Sequence, residues 1–220
     1  EIIMLFLYRI IMFILLIFSP IIISYRILKN KEDKKRYKEK FSIPTKKKVK
    51  GKLVWFHGAS VGEILSVVPL IKNYEKNKSI NQILVTSSTL SSSKVLQKFK
   101  FKKTIHQFYP IDSFFLTNKF LKLWRPCIAI FVDSEIWPCM YNNIHDKKIP
   151  LILLNARLTK KTFRNWMKLR GFGRSIFNKI TIAYPQNLET TKYLRKLKVN
   201  KIRHLGNLKF AENFDENLDK

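Results

Sequence analysis

Residues 53–71 read LVWFHGASVGEILSVVPLI and contain the pattern that decides the fold. An apolar run at 53–57 ends in the segment from Gly58 to Gly62, and a stretch with helical periodicity follows at 65–75. The two glycines permit a tight turn and the close approach of a ligand to the backbone. A strand that turns directly into a helix is the first half of a parallel α/β unit.

The alternation of short apolar runs and longer helical stretches continues along the chain. Six further runs predict strands, at 83–86, 105–109, 128–132, 151–155, 180–184 and 202–205. Stretches with helical periodicity separate most of these runs, for example at 92–99, 114–124 and 189–197. Strands that are apolar on both faces and bounded by helices are typical of a parallel sheet. We therefore predict an α/β fold over residues 51–210, a Rossmann-like parallel sheet with helices on both faces.

The N-terminal segment predicts a membrane anchor. Residues 2–25 are almost wholly apolar, and a helix needs about 20 such residues to cross a bilayer. A lysine-rich stretch follows at 29–50, and positive flanks stay on the cytoplasmic side. We predict a membrane-anchor helix over 1–27 and a basic juxtamembrane segment over 28–50. A helix lying in the membrane interface and a buried core helix are the alternatives.

The composition favours a few classes of binding partner but does not choose between them. Lys and Arg number 43 against 15 Asp and Glu, a formal net charge of +28 at pH 7. This excess favours an anionic membrane surface, a phosphorylated substrate or a nucleic acid, unless a biased codon pool accounts for the lysines. No nucleic-acid-binding signature is present, so we expect no nucleic-acid partner. The two cysteines and four histidines show no disulfide or metal-ligand spacing, so we expect structural histidines, no metal and no cofactor.

Polar residues concentrate where strands end, which is where parallel sheets bind ligands. They follow the first, fourth and fifth predicted strands: Ser60, Gly62 and Glu63; Asp133 and Glu135; Asn155 and Arg157. By pattern alone, Ser60 with Glu63 three residues later is a helix-capping box. The carboxylates after the fourth strand would likewise complement a helix dipole. Together with Lys209 near the end of the chain, these residues predict a rim suited to transfer from a nucleotide-activated donor.

Four segments of the sequence resemble the 3-deoxy-D-manno-octulosonic acid (Kdo) transferases: WFHGASVGE, FVDSEIWP, IPLILLNARLT and GNLKF. They occur in the family's order and span essentially the whole chain. The resemblance implies the N-terminal domain of a GT-B glycosyltransferase in lipopolysaccharide biosynthesis. It also implies transfer of Kdo from CMP-Kdo to a lipid A precursor, with inversion and without a metal. The expected location is the cytoplasmic face of a bacterial inner membrane, whose lipids are a further partner.

The resemblance also implies roles for individual residues. Glu63 matches the family's general base, Glu135 a supporting catalytic acid and Lys209 the lysine that stabilises the transition state. The expected substrate-binding residues are Ser60, Gly62, Asn155 and Arg157. The amides around Ser60 and Gly62 would bind the Kdo carboxylate, because a helix N-terminus attracts anions. If Glu63 and Glu135 lie close together, their repulsion is expected to raise the pKa of one of them.

Some features depart from the family pattern. Asp133, Cys139 and Ala211 stand where the family has a glutamate, an asparagine and an aspartate. The family continues after GNLKF, so residues 211–220 are expected to begin a linker to a donor-binding domain. Because that domain carries most of the CMP contacts, the chain alone is not expected to turn over CMP-Kdo. A chain that starts at Glu1 is also expected to be truncated or misassigned at its start.

Two alternative functions stay open at this point. One is a membrane-tethered basic module that binds anionic lipid or nucleic acid. The other is a GT-B transferase that uses another nucleotide sugar. The first alternative explains the anchor and the charge, but it leaves the carboxylates at the strand ends unexplained.

Overall fold

The computed structural model describes residues 2–169 and 171–203 of the chain. Within these residues one parallel sheet contains the strands β1 (Leu53–His57), β2 (Gln82–Ser87), β3 (Thr104–Phe108), β4 (Ile128–Val132), β5 (Leu151–Ala156) and β6 (Ile182–Pro185). Their order across the sheet is β3-β2-β1-β4-β5-β6. This is the doubly wound order of a Rossmann-like sheet, so the predicted fold class is confirmed.

The helices of the described residues are α1 (Ile2–Leu28), α2 (Val61–Lys76), α3 (Leu90–Gln97), α4 (Phe114–Trp124), α5 (Pro138–Asp146), α6 (Lys160–Lys168), α7 (Phe172–Phe177) and α8 (Leu188–Lys196). A 3₁₀ helix, Tyr37–Phe41, precedes β1. The four stretches named from periodicity correspond to α2, α3, α4 and α8, although the predictions at 92–99 and 189–197 run two residues and one residue past the ends of α3 and α8. Periodicity did not single out α5, because its first seven residues are all buried and a surface helix's polar face is therefore missing.

The core lies on both faces of the sheet because its central strands are buried on both sides. All five residues of β1 are buried. On one face Trp55 packs against Phe131 of β4, with ring centroids 5.0 Å apart. On the other face Phe56 belongs to a second cluster with Val67 of α2. Burial on both faces explains the continuous apolar runs from which the strands were predicted.

The last two predicted strands differ from the structure. β6 starts two residues later than predicted, at Ile182, because pairing with β5 begins there opposite Ile152. Of the strand predicted at 202–205, only residues 202 and 203 lie within the part of the chain that the structure describes. Ile202 forms one isolated parallel bridge with Ala183, which extends the sheet beyond β6.

Some side chains of helix α1 pack against the domain, and most of its other apolar side chains are exposed. It is the one helix in residues 2–169 and 171–203 that is long and apolar enough to cross a membrane. Met4, Leu5 and Tyr8 pack against the core of the domain, and the helix contacts α5 and α7. Most of its other large apolar side chains are exposed, including Ile14 and Ile21. Such a surface is typical of a helix that meets lipid or a partner.

Part of the basic segment is folded onto the sheet edge. The Arg36 guanidinium donates to both carboxylate oxygens of Glu39, at 2.9 and 3.0 Å. It also donates to the backbone oxygen of His106 at 2.9 Å. Glu39 in turn accepts the Phe108 N–H of β3 at 2.7 Å. The segment between α1 and β1 is therefore held against β3 by an ion pair whose carboxylate is buried.

Candidate active site

The candidate site lies at the carboxyl ends of β1 and β4. These strands are neighbours, with His57 opposite Phe131, although two other strands separate them along the chain. From β1 the chain winds outward to β2 and β3, and from β4 it winds the other way to β5 and β6. A doubly wound sheet forms a crevice at this switch point, and ligands bind there.

Glu63 folds back over the turn that follows β1. Its Oε2 accepts the Ala59 N–H at 2.7 Å, and its Oε1 accepts the Ser60 hydroxyl at 2.8 Å. The Glu63 N–H donates to Ser60 Oγ at 3.3 Å, which is one of the two hydrogen bonds of the predicted capping box. In place of the second, the Glu63 carboxylate accepts the N–H of Ala59, the residue before the cap. The cap holds the Glu63 side chain half-buried at the start of α2, just after the carboxyl end of β1.

The surroundings of Glu63 favour its neutral form. Burial raises the pKa of this carboxyl, and the negative charges of Glu135 and Asp133 act in the same direction. The hydrogen bonds from Ser60 and Ala59 oppose this effect but do not outweigh it, so the pKa of Glu63 lies above its usual value. The predicted repulsion between the two glutamates is thus present. A raised pKa suits a carboxylate that takes a proton near neutral pH.

The pKa of Glu135 is shifted in the opposite direction. Burial opposes its ionisation, but hydrogen bonds from His57 and Trp137 prevail and hold the pKa of Glu135 below its usual value. Trp137 Nε1 donates to Glu135 Oε2 at 2.9 Å, and His57 Nε2 lies 3.3 Å from the same oxygen. These hydrogen bonds therefore favour the ionised form of Glu135 beside Glu63.

His57 lies in the candidate site, although the sequence predicted only a structural role for it. It is fully buried, and burial lowers its pKa, so the imidazole is neutral. Its Nδ1 lies 3.0 Å from Thr86 Oγ1 and 3.2 Å from the Thr86 backbone oxygen, and we assign Nε2–H as the donor to Glu135 because a carboxylate oxygen accepts. The signal that could have found it is its place as the last residue of β1, at the edge that identified the other candidates.

The ends of β4 and β5 add two backbones in a left-handed conformation. Asp133 has φ 60° and Asn155 has φ 53°, and the pairing of Val132 with Leu154 makes these two residues neighbours. Such conformations are uncommon outside glycine and concentrate at functional sites. Asn155 is 3% exposed, and within the described residues its Oδ1 has no hydrogen-bond partner. A buried acceptor in that state suits a ligand that brings a donor.

The remaining predicted site residues are Arg157, Gly62 and Lys209. Arg157 is exposed two residues beyond Asn155. Gly62 is exposed in the first turn of α2, and no atom lies within 4 Å of the position that a side chain would occupy. A ligand can therefore approach the backbone there. Lys209 lies outside the described residues, so its predicted role stays a prediction.

Comparisons with known proteins identify relatives of this chain. Residues 35–212 match the family model described as 3-Deoxy-D-manno-octulosonic-acid transferase (kdotransferase). A 3-deoxy-D-manno-octulosonic acid transferase of Rickettsia bellii (strain RML369-C) is 37% identical over 205 residues, covering 93% of this chain and 49% of that protein. A probable mitochondrial 3-deoxy-D-manno-octulosonic acid transferase of Arabidopsis thaliana is 35% identical over 151 residues, covering 67% of this chain and 34% of that protein.

Solved structures show the same fold in proteins of other sequence. A UDP-GlcNAc 2-epimerase from Neisseria meningitidis, bound to UDP-GlcNAc, superposes with a TM-score of 0.53 at 14% identity. The match covers 71% of this chain and 47% of that chain and concerns the fold alone. The chain spans about half the length of the Rickettsia bellii relative. The matched family model and the identity to these transferases show that the chain belongs to the 3-deoxy-D-manno-octulosonic acid transferase family.

Proposed function

We propose that the full-length protein is an inverting GT-B glycosyltransferase that moves Kdo from CMP-Kdo to a lipid A precursor, and that this chain supplies its acceptor-side domain. Family membership supports the reaction class. The observation that carries the proposal is the pair of glutamates at the switch point, whose pKa values are shifted in opposite directions. Two carboxyls with divergent pKa values are typical of a site that divides a base role from an electrostatic role.

In the proposed reaction Glu63 is the general base. Its carboxylate takes the proton of an acceptor hydroxyl, and the hydroxyl oxygen forms a bond to the anomeric carbon of Kdo. The bond from that carbon to the CMP oxygen breaks, and CMP leaves with the electron pair as a stabilised phosphate. Attack from the face opposite CMP inverts the anomeric centre. Glu135 stays ionised, raises the pKa of Glu63 and stabilises positive charge that develops on the sugar.

The other predicted residues would bind the substrates. The amides at the start of α2, around Ser60 and Gly62, would bind the Kdo carboxylate. The buried Asn155 Oδ1 would accept a hydrogen bond from a sugar hydroxyl, and the exposed Arg157 would meet a phosphate. Lys209 is proposed to stabilise the transition state.

We also place the protein at the cytoplasmic face of a bacterial inner membrane. The exposed apolar surface of α1 supports contact with lipid, and the excess of positive charge supports attraction to anionic headgroups. At that location the domain would reach an acceptor whose lipid chains stay in the bilayer.

The test is Glu63→Gln in the full-length protein, measured as CMP release from CMP-Kdo with a lipid A precursor. Glutamine can also complete a capping box, so the variant keeps the turn and loses only the base. We expect kcat to fall by roughly 10²-fold or more. Glu189→Gln is the matched control, because Glu189 also lies in the first turn of a helix, α8, and should leave kcat unchanged.

Two results would contradict the proposal. Wild-type turnover by Glu63→Gln would remove Glu63 as the base. Turnover of another nucleotide sugar in preference to CMP-Kdo would keep the transferase and replace its donor.

A further inference from the structure

A buried carboxylate outside the proposed mechanism joins helix α1 to helix α5. Asp112 is 1% exposed. Its Oδ2 accepts the Tyr8 O–H at 2.8 Å and the Cys139 N–H at 3.0 Å. Its Oδ1 accepts the Met140 N–H at 2.8 Å. Asp112 thus binds the first turn of α5 and a side chain of α1 at the same time.

Helix α5 depends on Asp112 for its N-terminal cap. Trp137, the residue before α5, makes no capping hydrogen bond with its own side chain, and Pro138 has no N–H. The first N–H groups of a helix have no partner within it, so a cap must come from elsewhere. Asp112 supplies that cap from the loop after β3, 27 residues earlier than Cys139.

The start of α5 also holds the loop that carries Glu135. Trp137 Nε1 donates to the Glu135 carboxylate at 2.9 Å. The Tyr141 O–H of α5 donates to the Glu135 backbone oxygen at 2.9 Å. A shift of the first turn of α5 would therefore move Glu135, and with it the charge beside Glu63.

Helix α1 contacts Asp112 near its N-terminal end, through Tyr8. Tyr8 packs on Phe172 of α7, with ring centroids 6.4 Å apart. The neighbouring Arg9 guanidinium lies 4.3 Å from the ring centroid of Phe114. Burial raises the pKa of Asp112 to about 7 against its three hydrogen bonds, so the loss of one donor leaves a costly buried group less well satisfied.

We propose that Tyr8 and Asp112 are positioning residues through which the docking of α1 sets the geometry of the Glu135 loop. The inference rests on the proposed function, because it takes that loop as catalytic. A helix that only tethered the domain would not need a hydrogen bond to the cap of α5. Here the helix with the lipid-facing surface forms part of the frame of the site.

The test uses the full-length protein in detergent with Tyr8→Phe, Asp112→Asn and the double variant. Tyr8→Phe keeps the ring on Phe172 and removes only the O–H donor. Tyr25→Phe is the matched control, because Tyr25 is an exposed tyrosine of the same helix. We expect each single variant to lower kcat about tenfold through misplacement of Glu135, with the KM for CMP-Kdo little changed. The double variant should fall no further than Asp112→Asn, because both changes break one link.

Hydrogen–deuterium exchange gives a readout that does not require activity. The amides of residues 133–141 should exchange faster in Tyr8→Phe than in the wild type or in Tyr25→Phe. If the wild type transfers no Kdo, the proposed function fails, while faster exchange in Tyr8→Phe still supports the coupling. Unchanged exchange at 133–141 in both single variants, or additive losses of kcat in the double variant, would overturn the proposal.

Discussion

Glu63 and Glu135 are chemically identical side chains at neighbouring strand ends, yet different partners move their pKa values in opposite directions. Glu63 accepts hydrogen bonds from Ser60 and Ala59, and burial with the charge of Glu135 outweighs them. Glu135 accepts ring N–H groups from His57 and Trp137, and these outweigh burial. The assignment of base and stabiliser therefore depends on two aromatic donors as much as on the carboxylates themselves.

Replacement of His57 tests this view at the scale of one residue. His57→Phe keeps an aromatic ring on Tyr109, whose centroid lies 3.9 Å away, but removes the donor to Glu135. A hydrogen bond to a charged group contributes about 1.5–3 kcal/mol, so we expect kcat to fall by about tenfold or more. The pKa of Glu135 should rise, so the loss of activity on acidification should begin at a higher pH than in the wild type.

The measurement is the pH profile of kcat in the full-length protein. His145→Phe is the matched control, because His145 is exposed at the far end of α5 and should leave the profile unchanged. A wild-type profile in His57→Phe would show that Trp137 alone keeps Glu135 ionised.

At the scale of elements, the segment between α1 and β1 is a folded part of the domain. Its lysine content predicted a basic stretch beside the membrane, but within it the buried Glu39 pairs with the partly exposed Arg36 on the edge strand β3. Near the end of α1, Arg26 Nε donates to Glu32 Oε1 of this segment at 2.7 Å, and near its start Tyr8 donates to Asp112, so α1 is joined to the rest of the domain near both of its ends. The helix is thereby oriented relative to the sheet.

Removal of one partner of this pair should destabilise the domain. Glu39→Gln keeps the shape of the side chain but leaves the Arg36 guanidinium without its counter-charge. Breaking a buried pair in this way costs about 3 kcal/mol of the free energy of unfolding. Urea denaturation in detergent measures the change, and Lys38→Gln, an exposed change in the same 3₁₀ helix, should have no effect. Equal stability of the two variants would show that the pair is not stabilising.

At the scale of the whole molecule, two kinds of membrane attraction are combined. The net charge of +28 would attract anionic headgroups, and salt would screen this attraction. The exposed apolar surface of α1 would be removed from water in a bilayer, and salt does not weaken that effect. The two contributions can therefore be separated by the conditions of extraction.

We expect the full-length protein to stay in the membrane fraction at about 1 M NaCl, where screening acts over only about 3 Å, and to leave it in detergent. Replacement of Ile14, Phe18 and Ile21 by glutamine should release a larger fraction into salt, because these side chains are exposed on α1. Leu188→Gln is the control, an exposed apolar residue outside α1. Complete release of the wild type by salt would contradict the membrane role of α1.

Several features followed from the sequence alone because they depend on neighbours along the chain. Apolar runs without alternation predict strands that are buried on both faces, and β1 is one of them. The cap formed between Ser60 and Glu63 needs only four consecutive residues. The rule that ligands bind at strand ends brought Glu63, Glu135 and Asn155 to one edge before their neighbours were known.

Other features required the tertiary structure because they join residues far apart in the chain. His57 and Glu135 are separated by 78 positions, and Tyr8 and Asp112 by 104. Hydrophobic periodicity does not predict such contacts, because they depend on the strand order and on how α1 packs against α5 and α7. The sequence by itself determined the fold class and placed the candidate site residues at one edge of the sheet. The packing decided which glutamate is kept ionised and which helix supports it, because burial and hydrogen-bond donors are properties of the folded surroundings.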